Sequence, residues 1–270
     1  MIDTHAHLDG PEFAVDLEDT LIRAKKAGVE KIFIPSICRK DLSHLVRICN
    51  KHPGFLYPMI GLHPENIFDE DYHVALDRME ELLEESLNPI PSPETPTFIA
   101  VGEVGLDLYW DSSHQAEQIE VFERQIQWAI RYNLPLMIHA RNAHHELVDI
   151  MKKYKTERLK GVFHCFTGSR KEALELLNFT NFCLGIGGVL TFKKSQLAEV
   201  LRDVVPLNRI VLETDSPYMA PTPFRGRRNE SAFVIEVGNK MAEIFSTTFE
   251  QIDTQTTKNA LNIFRKVQKE

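Results

Sequence analysis

Eight short apolar runs of strand character, separated by stretches of helical periodicity, constrain the fold of this chain more than any other feature. The runs lie at 2–8, 31–36, 56–62, 97–103, 135–140, 161–166, 182–188 and 209–215. Between them, Leu17, Leu21 and Ala24, then Leu42, Leu45, Val46 and Cys49, then Leu76, Met79 and Leu83 recur at helical spacing. Ile119, Phe122, Ile126 and Ala129 do the same, as do Leu147, Ile150, Met151 and Tyr154. Strands that are apolar along their whole length need both faces covered, and a parallel sheet flanked by crossover helices provides this. Eight such units in 270 residues suit a closed (β/α)8 TIM barrel, with an open doubly wound sheet as the alternative. No shift in composition divides the chain, so one domain over residues 1–270 is expected. The proline-rich stretch at 88–96 falls between the third helix and the fourth strand and reads as a surface insertion on the N-terminal side of a barrel. Two more helices, near 230–245 and ending near Phe264, follow the eighth strand.

With 43% hydrophobic and 26% charged residues the chain can build a sizeable core, so a disordered protein is excluded. No apolar run approaches the roughly 18 residues of a membrane span, and neither a membrane anchor nor a cleaved leader is expected. Cys38, Cys49, Cys165 and Cys183 lack Cys-x-x-Cys spacing and read as buried thiols of a cytoplasmic protein. The formal charge of −8 argues against coating nucleic acid by bulk electrostatics, while leaving room for a local basic patch. A monomer without an obligate protein partner is the expected state.

The chemistry gathers at the ends of the strands. In the first run His5 and His7 alternate with Thr4 and Ala6, so they share one face with Cα atoms roughly 7 Å apart. One His-x-His is weak by itself. However, Glu103 closes the fourth run, His139 the fifth, His164 the sixth and Asp215 the eighth. In a barrel all of these ends face one rim, where active sites lie. Four imidazoles and two carboxylates are nitrogen and oxygen donors suited to divalent ions such as Zn²⁺ or Mn²⁺, and six exceed the needs of one tetrahedral centre. Two metal ions are therefore expected, bridged by Glu103, with Gly102 and Gly105 allowing close approach.

The motifs also resemble a known family. Asp3-Thr4-His5-Ala6-His7-Leu8, Gly61-Leu62-His63-Pro64, Gly102-Glu103-Val104-Gly105-Leu106-Asp107 and His139-Ala140-Arg141 are similar, in order and spacing, to signatures of the TatD metal-dependent deoxyribonucleases within the amidohydrolase-like barrels. So are His164-Cys165-Phe166-Thr167-Gly168, Glu213-Thr214-Asp215-Ser216-Pro217-Tyr218 and Arg225-Gly226-Arg227-Arg228-Asn229-Glu230. The resemblance spans residues 3 to 230. It implies a metal-dependent phosphodiesterase acting on nucleic acid, often as a 3′→5′ exonuclease, with His5, His7, Glu103, His139, His164 and Asp215 as ligands. Departures around Ala140, Asn142 and Ala143, and the longer insertion before Glu103, leave every ligand position intact.

The expected mechanism places a water or hydroxide between two divalent ions, of Zn, Mn or Mg, with Asp215 as general base and Glu103 as a second catalytic carboxylate. Related barrels often bridge their metals with a carbamylated lysine, and no lysine ends the fourth strand here. Arg141, Arg228 and His63 are the expected phosphate contacts, since an arginine fork donates two hydrogen bonds at once. Arg170, Lys171, Lys193, Lys194, Arg225 and Arg227 add to a basic rim. Asp69, Glu70 and Asp71 restrict where a polyanion can lie and favour a single-stranded end over a long duplex. Tyr109, Trp110, Phe192 and Phe224 offer aromatic faces to unpaired bases. Asp3 reads as a buried hydrogen-bond partner, Asp107 as a residue that orients a ligand or caps the next turn, and Cys165 as a core thiol facing the helices. A small-molecule amide, lactone or phosphate-ester hydrolase of the same barrel is the alternative function, and a noncatalytic binding protein the least favoured.

Overall fold

The structure, a computed structural model, describes residues 1–87, 97–109 and 111–268; the expected insertion at 88–96 and Trp110 lie outside the described residues. In chain order the elements are β1 (Ile2–Asp3), α1 (Leu17–Lys26), β2 (Lys31–Pro35), α2 (Arg39–Lys51), β3 (Leu56–Met59), α3 (Tyr72–Ser86), β4 (Val101–Asp107) and α4 (Gln115–Tyr132). They continue as β5 (Leu136–Arg141), α5 (His144–Lys153), β6 (Gly161–Phe163), α6 (Arg170–Leu177), β7 (Phe182–Ile186), α7 (Leu197–Val204), β8 (Ile210–Leu212), α8 (Val234–Phe245) and α9 (Phe249–Ile263). Strand and helix thus alternate as the hydrophobic pattern requires. The contacts divide into two compact units, Met1–Ile34 with Phe163–Ile263 and Pro35–Val162 with Phe264–Glu270.

In the first unit β1 pairs in parallel with β2, Ile2 opposite Lys31 and Asp3 opposite Ile32, and β7 pairs in parallel with β8. The Thr4 amide donates to the Leu212 carbonyl at 3.0 Å, so the end of β8 runs beside the first strand. Leu8, Phe13, Ile32 and Phe33 are fully buried. Each contributes about 1.5–3 kcal/mol by leaving water. Helix α6 begins at a capping box in which Ser169 and Glu172 satisfy each other's backbone amides.

The second unit builds on β4, whose seven residues are all buried. Ile60 bridges to Val101, and β4 pairs in parallel with β5 from Val101 opposite Leu136 to Asp107 opposite Arg141. Phe98, Phe122, Trp128 and Phe264 fill its core. From α4, the buried Gln125 side chain holds both backbone groups of Leu62, and Gln118 holds both of Asp107. Asp71 caps α3 by accepting from the His73 and Val74 amides.

Several expectations about the strands change: β1 covers only Ile2–Asp3, so His5 and His7 lie beyond it, and β8 ends at Leu212, before Asp215. The fourth strand starts at Val101 and runs to Asp107, so Glu103 lies inside it and not at its end. The pairing register shifts between Val101 and Val104, an irregularity of the kind that re-aims a side chain. The glycines beside Glu103 serve strand packing: a Cβ on Gly102 would stand 2.4 Å from that of Met137, and one on Gly105 2.0 Å from the His139 carbonyl oxygen. The sixth strand ends at Phe163, and Cys165, at φ 49°, leaves the alternation and is half-buried rather than packed among helices.

Candidate metal centre

Backbone hydrogen bonds between the first strand and the chain after β8 assemble one cluster. The Asp215 amide donates to the His5 carbonyl at 2.9 Å and the His7 amide to the Ser216 carbonyl at 2.7 Å. This zipper sets His5 Nε2 and His7 Nε2 3.1 Å apart, and 3.8 and 3.5 Å from Asp215 Oδ1. The His164 ring stacks on that of His5, with centroids 3.9 Å apart and planes 11° from parallel. Burial pushes the Asp215 carboxyl up, but the hydrogen bond from His7 and the charges of His164, His5 and His7 outweigh it and hold the group below the ordinary carboxylate range.

Several buried residues fix that cluster. Asp215 adopts φ 56°, a left-handed conformation that Asp tolerates better than most residues. Asn229, wholly buried, donates through Nδ2 to the carbonyls of Thr214 at 2.8 Å and Tyr218 at 2.6 Å, clasping both sides of the turn that carries Asp215. Asp3 accepts from the Thr214 amide at 2.9 Å and its hydroxyl at 2.7 Å, the buried partner the sequence suggests. Burial pushes the Asp3 carboxyl up to about 7 against the hydrogen bonds of Ser231, Thr214 and His5. Glu213, wholly buried, stands 3.5 Å from His164 Nδ1 and accepts from the Cys165 amide. Sequence reasoning gave Glu213 no role. The available signal was its place in the Glu213-Thr214-Asp215 motif.

A second cluster forms in the other unit. Glu103 Oε1 lies 3.0 Å from His139 Nδ1 and 3.6 Å from His63 Nε2. His139 Nε2 is 2.8 Å from Asp107 Oδ2, while Asp107 Oδ1 accepts from the Tyr109 amide at 3.0 Å. Asp107 therefore both orients His139 and caps the turn. Burial opposes ionisation of Asp107, yet His139, the Tyr109 amide and Arg141 together hold its carboxyl below the ordinary range. His63, taken from sequence as a phosphate contact, belongs to this cluster, with its ring 4.5 Å from that of His139. The Glu65 amide donates to its Nδ1.

The donor sets fit divalent cations. His5, His7 and Asp215 offer ligand atoms within 4.8 Å of one another, and so do His63, Glu103 and His139. A cation about 2.0–2.2 Å from nitrogen and oxygen donors holds neighbouring donors somewhat more than 3 Å apart, and the pairs around Asp215 measure 3.1 to 3.8 Å. Two ring nitrogens facing each other share one proton at most, whereas a cation accepts both lone pairs.

The other expected contacts divide. Arg141 ends β5 and lies 3.7 Å above the exposed Tyr109 ring. Arg228 is committed elsewhere: Nη1 and Nη2 grip the two oxygens of Asp16 at 2.7 Å each, and the guanidinium covers Phe13. Beside it Glu230 forms a bidentate pair with Arg23. Half of the basic motif at 225–230 is thus a structural lock. Phe224 stacks on Phe233 at 3.9 Å, which makes it a packing residue. Glu70 pairs with Arg39, Asp69 accepts from Asn66, and Asp71 caps α3, so this acidic run serves local structure.

Comparison with known proteins defines the class. A metal-dependent hydrolase of Bacillus subtilis, YabD, described as uncharacterized, is 38% identical over 265 residues covering 98% of this chain and 99% of that protein. The crystal structure of YjjV, a TatD homologue from Escherichia coli, superposes with a TM-score of 0.88 at 30% identity, covering 98% of each chain. The fold shared with these neighbours is the (β/α)8 barrel, and the chain is a metal-dependent hydrolase. It belongs to the TatD family: the family described as TatD related DNase matches residues 2–265. A Pantoea vagans relative, 30% identical over 98% of this chain and 99% of its own length, is named a 3′-5′ ssDNA/RNA exonuclease. No helix among the described residues is long and apolar enough to cross a membrane.

Proposed function

We propose that this hydrolase cleaves phosphodiester bonds at the 3′ ends of single-stranded nucleic acid, with His5, His7, Glu103, His139, His164 and Asp215 as ligands of two divalent cations of Zn, Mn or Mg. The observation that carries the reading is the convergence of His5, His7 and an ionised Asp215 within 4.8 Å. The name of the Pantoea relative supports the substrate class. Bound cations would supply Lewis acidity toward a phosphate oxygen and lower the pKa of an attacking water. Asp215, kept ionised at neutral pH, accepts that water's proton as general base. Asp107 accepts from His139 at Nε2, which fixes the ring orientation and leaves the Nδ1 lone pair facing Glu103 Oε1, where both could ligate a cation. His63, with Nδ1 accepting from the Glu65 amide, presents Nε2–H as a donor when neutral. Arg141 offers its fork to a phosphate from above Tyr109.

The test is a time course on a 5′-labelled single-stranded oligonucleotide with Mg²⁺, Mn²⁺ or Zn²⁺, against chelated protein and the Glu103→Ala and Asp215→Asn variants. Stepwise shortening with metal, and none in the controls, is the expected result. An intact label alongside turnover of small esters or lactones would move the assignment to a small-molecule hydrolase.

A further inference from the structure

A cleft of about 1070 Å³ opens within the first unit between the loops that follow β6, β7 and β8. Two of these loops start at cluster residues, His164 after β6 and Asp215 after β8. The Thr222 amide ties the β8 loop to the Thr191 hydroxyl of the β7 loop at 2.8 Å, giving the cleft a fixed wall. Its size lies at the upper edge of small-molecule sites, which run to about 1,000 Å³.

The lining has an uneven charge. Arg170, Lys193, Lys194 and Arg225 line it, against the carboxylates Glu199 and Asp203. Asp203 is already engaged, 3.6 Å from Arg170 and 3.4 Å from Arg202. Lys193, Lys194 and Arg225 are exposed, and among the described residues no carboxylate pairs with them. Arg225 instead sits over Phe192, its Cζ 3.5 Å from the ring centroid. With Glu199 as the remaining lining carboxylate, Lys193, Lys194 and Arg225 leave the cleft an excess of positive charge that an anion would relieve, and a guanidinium over a phenyl ring is a platform for a base.

We propose that this cleft binds the retained strand of a single-stranded nucleic acid substrate, Lys193, Lys194 and Arg225 contacting successive phosphates and the Phe192 and Arg225 pair stacking a base. The proposal rests on the nuclease reading and extends it from the scissile bond to the strand behind it. It also assigns the basic rim a specific role: Arg225 takes substrate, while Arg228 locks structure.

The test compares dT12 with the dinucleotide dTpdT for the wild type and for the triple variant Lys193→Ala, Lys194→Ala, Arg225→Ala, across a salt series. Each phosphate contact to a single strand contributes about 0.7 to the salt slope, so losing three should flatten it by about 2. KM for dT12 should rise about tenfold or more at unchanged kcat, with dTpdT unaffected. Lys193→Arg with Lys194→Arg keeps both charges and should retain wild-type values. An equal loss on both substrates, or an unchanged KM and salt slope on dT12, overturns the proposal. Fluorescence anisotropy of labelled dT12 separates its failure from that of the nuclease reading. Binding by the wild type and not by the triple variant upholds the cleft even without turnover, and equal or absent binding refutes it.

Discussion

Replacing Asn229 with Ala should unfasten the turn that carries Asp215. The side chain is wholly buried and makes three hydrogen bonds: Nδ2 to the carbonyls of Thr214 and Tyr218, and Oδ1 accepting from the Glu230 amide at 2.9 Å. Each buried group left without a partner costs about 1–3 kcal/mol, and one of the three can recruit water in the space the side chain leaves. The expected loss of stability is therefore about 3 kcal/mol. It is read from urea unfolding followed by circular dichroism, with the midpoint lowered at unchanged slope. Asp215 sits at φ 56° only while this clasp holds, so metal affinity should also fall by about 10–100-fold, measured by calorimetric titration. Asn229→Asp replaces the two donated bonds with carboxylate oxygens facing carbonyls and should be no better than Ala. A loss below about 0.5 kcal/mol with unaltered metal affinity would refute the view that Asn229 positions Asp215.

Asp107→Asn removes the carboxylate that orients His139, and should weaken metal binding by about 10–100-fold with little change in unfolding midpoint, checked by calorimetric titration. Gly105→Ala places a Cβ 2.0 Å from the His139 carbonyl oxygen at φ 142° and should destabilise the protein by about 3 kcal/mol or more, measured by thermal unfolding. Hydrogen bonds from Arg228 hold the Asp16 carboxyl at about 2, below its ordinary 3.8. The stability this gives is complete above about pH 4 and disappears as pH falls through about 2; because Asp16 is a third exposed it amounts to less than about 1 kcal/mol. Arg228→Ala should remove that acid-limb dependence, read from unfolding midpoints between pH 2 and 5. Burial pushes the thiols of Cys38 and Cys183 up to about 11, so neither should react with a disulfide reagent at pH 7 in the native protein, whereas all four cysteines should once it is unfolded.

Locally encoded features were legible in the sequence. His5 and His7 could be paired from their two-residue spacing; β1 itself ends at Asp3, and the bonds from the Ala6 amide to Phe33 and the His7 amide to Ser216 hold the segment that carries them. The helices over Leu17–Lys26 and Gln115–Tyr132 followed from apolar residues at helical intervals, since one face must leave water. Glu103 and His139, picked out in the sequence as strand-end residues, lie within their strands and stand 3.0 Å apart. Gly102 and Gly105, read as allowing close approach to Glu103, admit the neighbouring strand.

Distant pairing was not legible. Arg228 and Arg225 belong to one basic run, yet one is gripped by Asp16 and the other lies on Phe192 in an open cleft. Composition cannot separate them, because an arginine's role depends on which carboxylate the fold brings within 3 Å. Glu213 looked like an ordinary strand residue until the fold placed it, just past β8, against His164. The sequence by itself determined the alternation of strands and helices and which residues offer nitrogen and oxygen donors, since both follow from short-range periodicity and side-chain chemistry. Only the tertiary structure decided which charges are satisfied internally and which remain for a ligand, because electrostatic pairing depends on distance in space and not on separation along the chain.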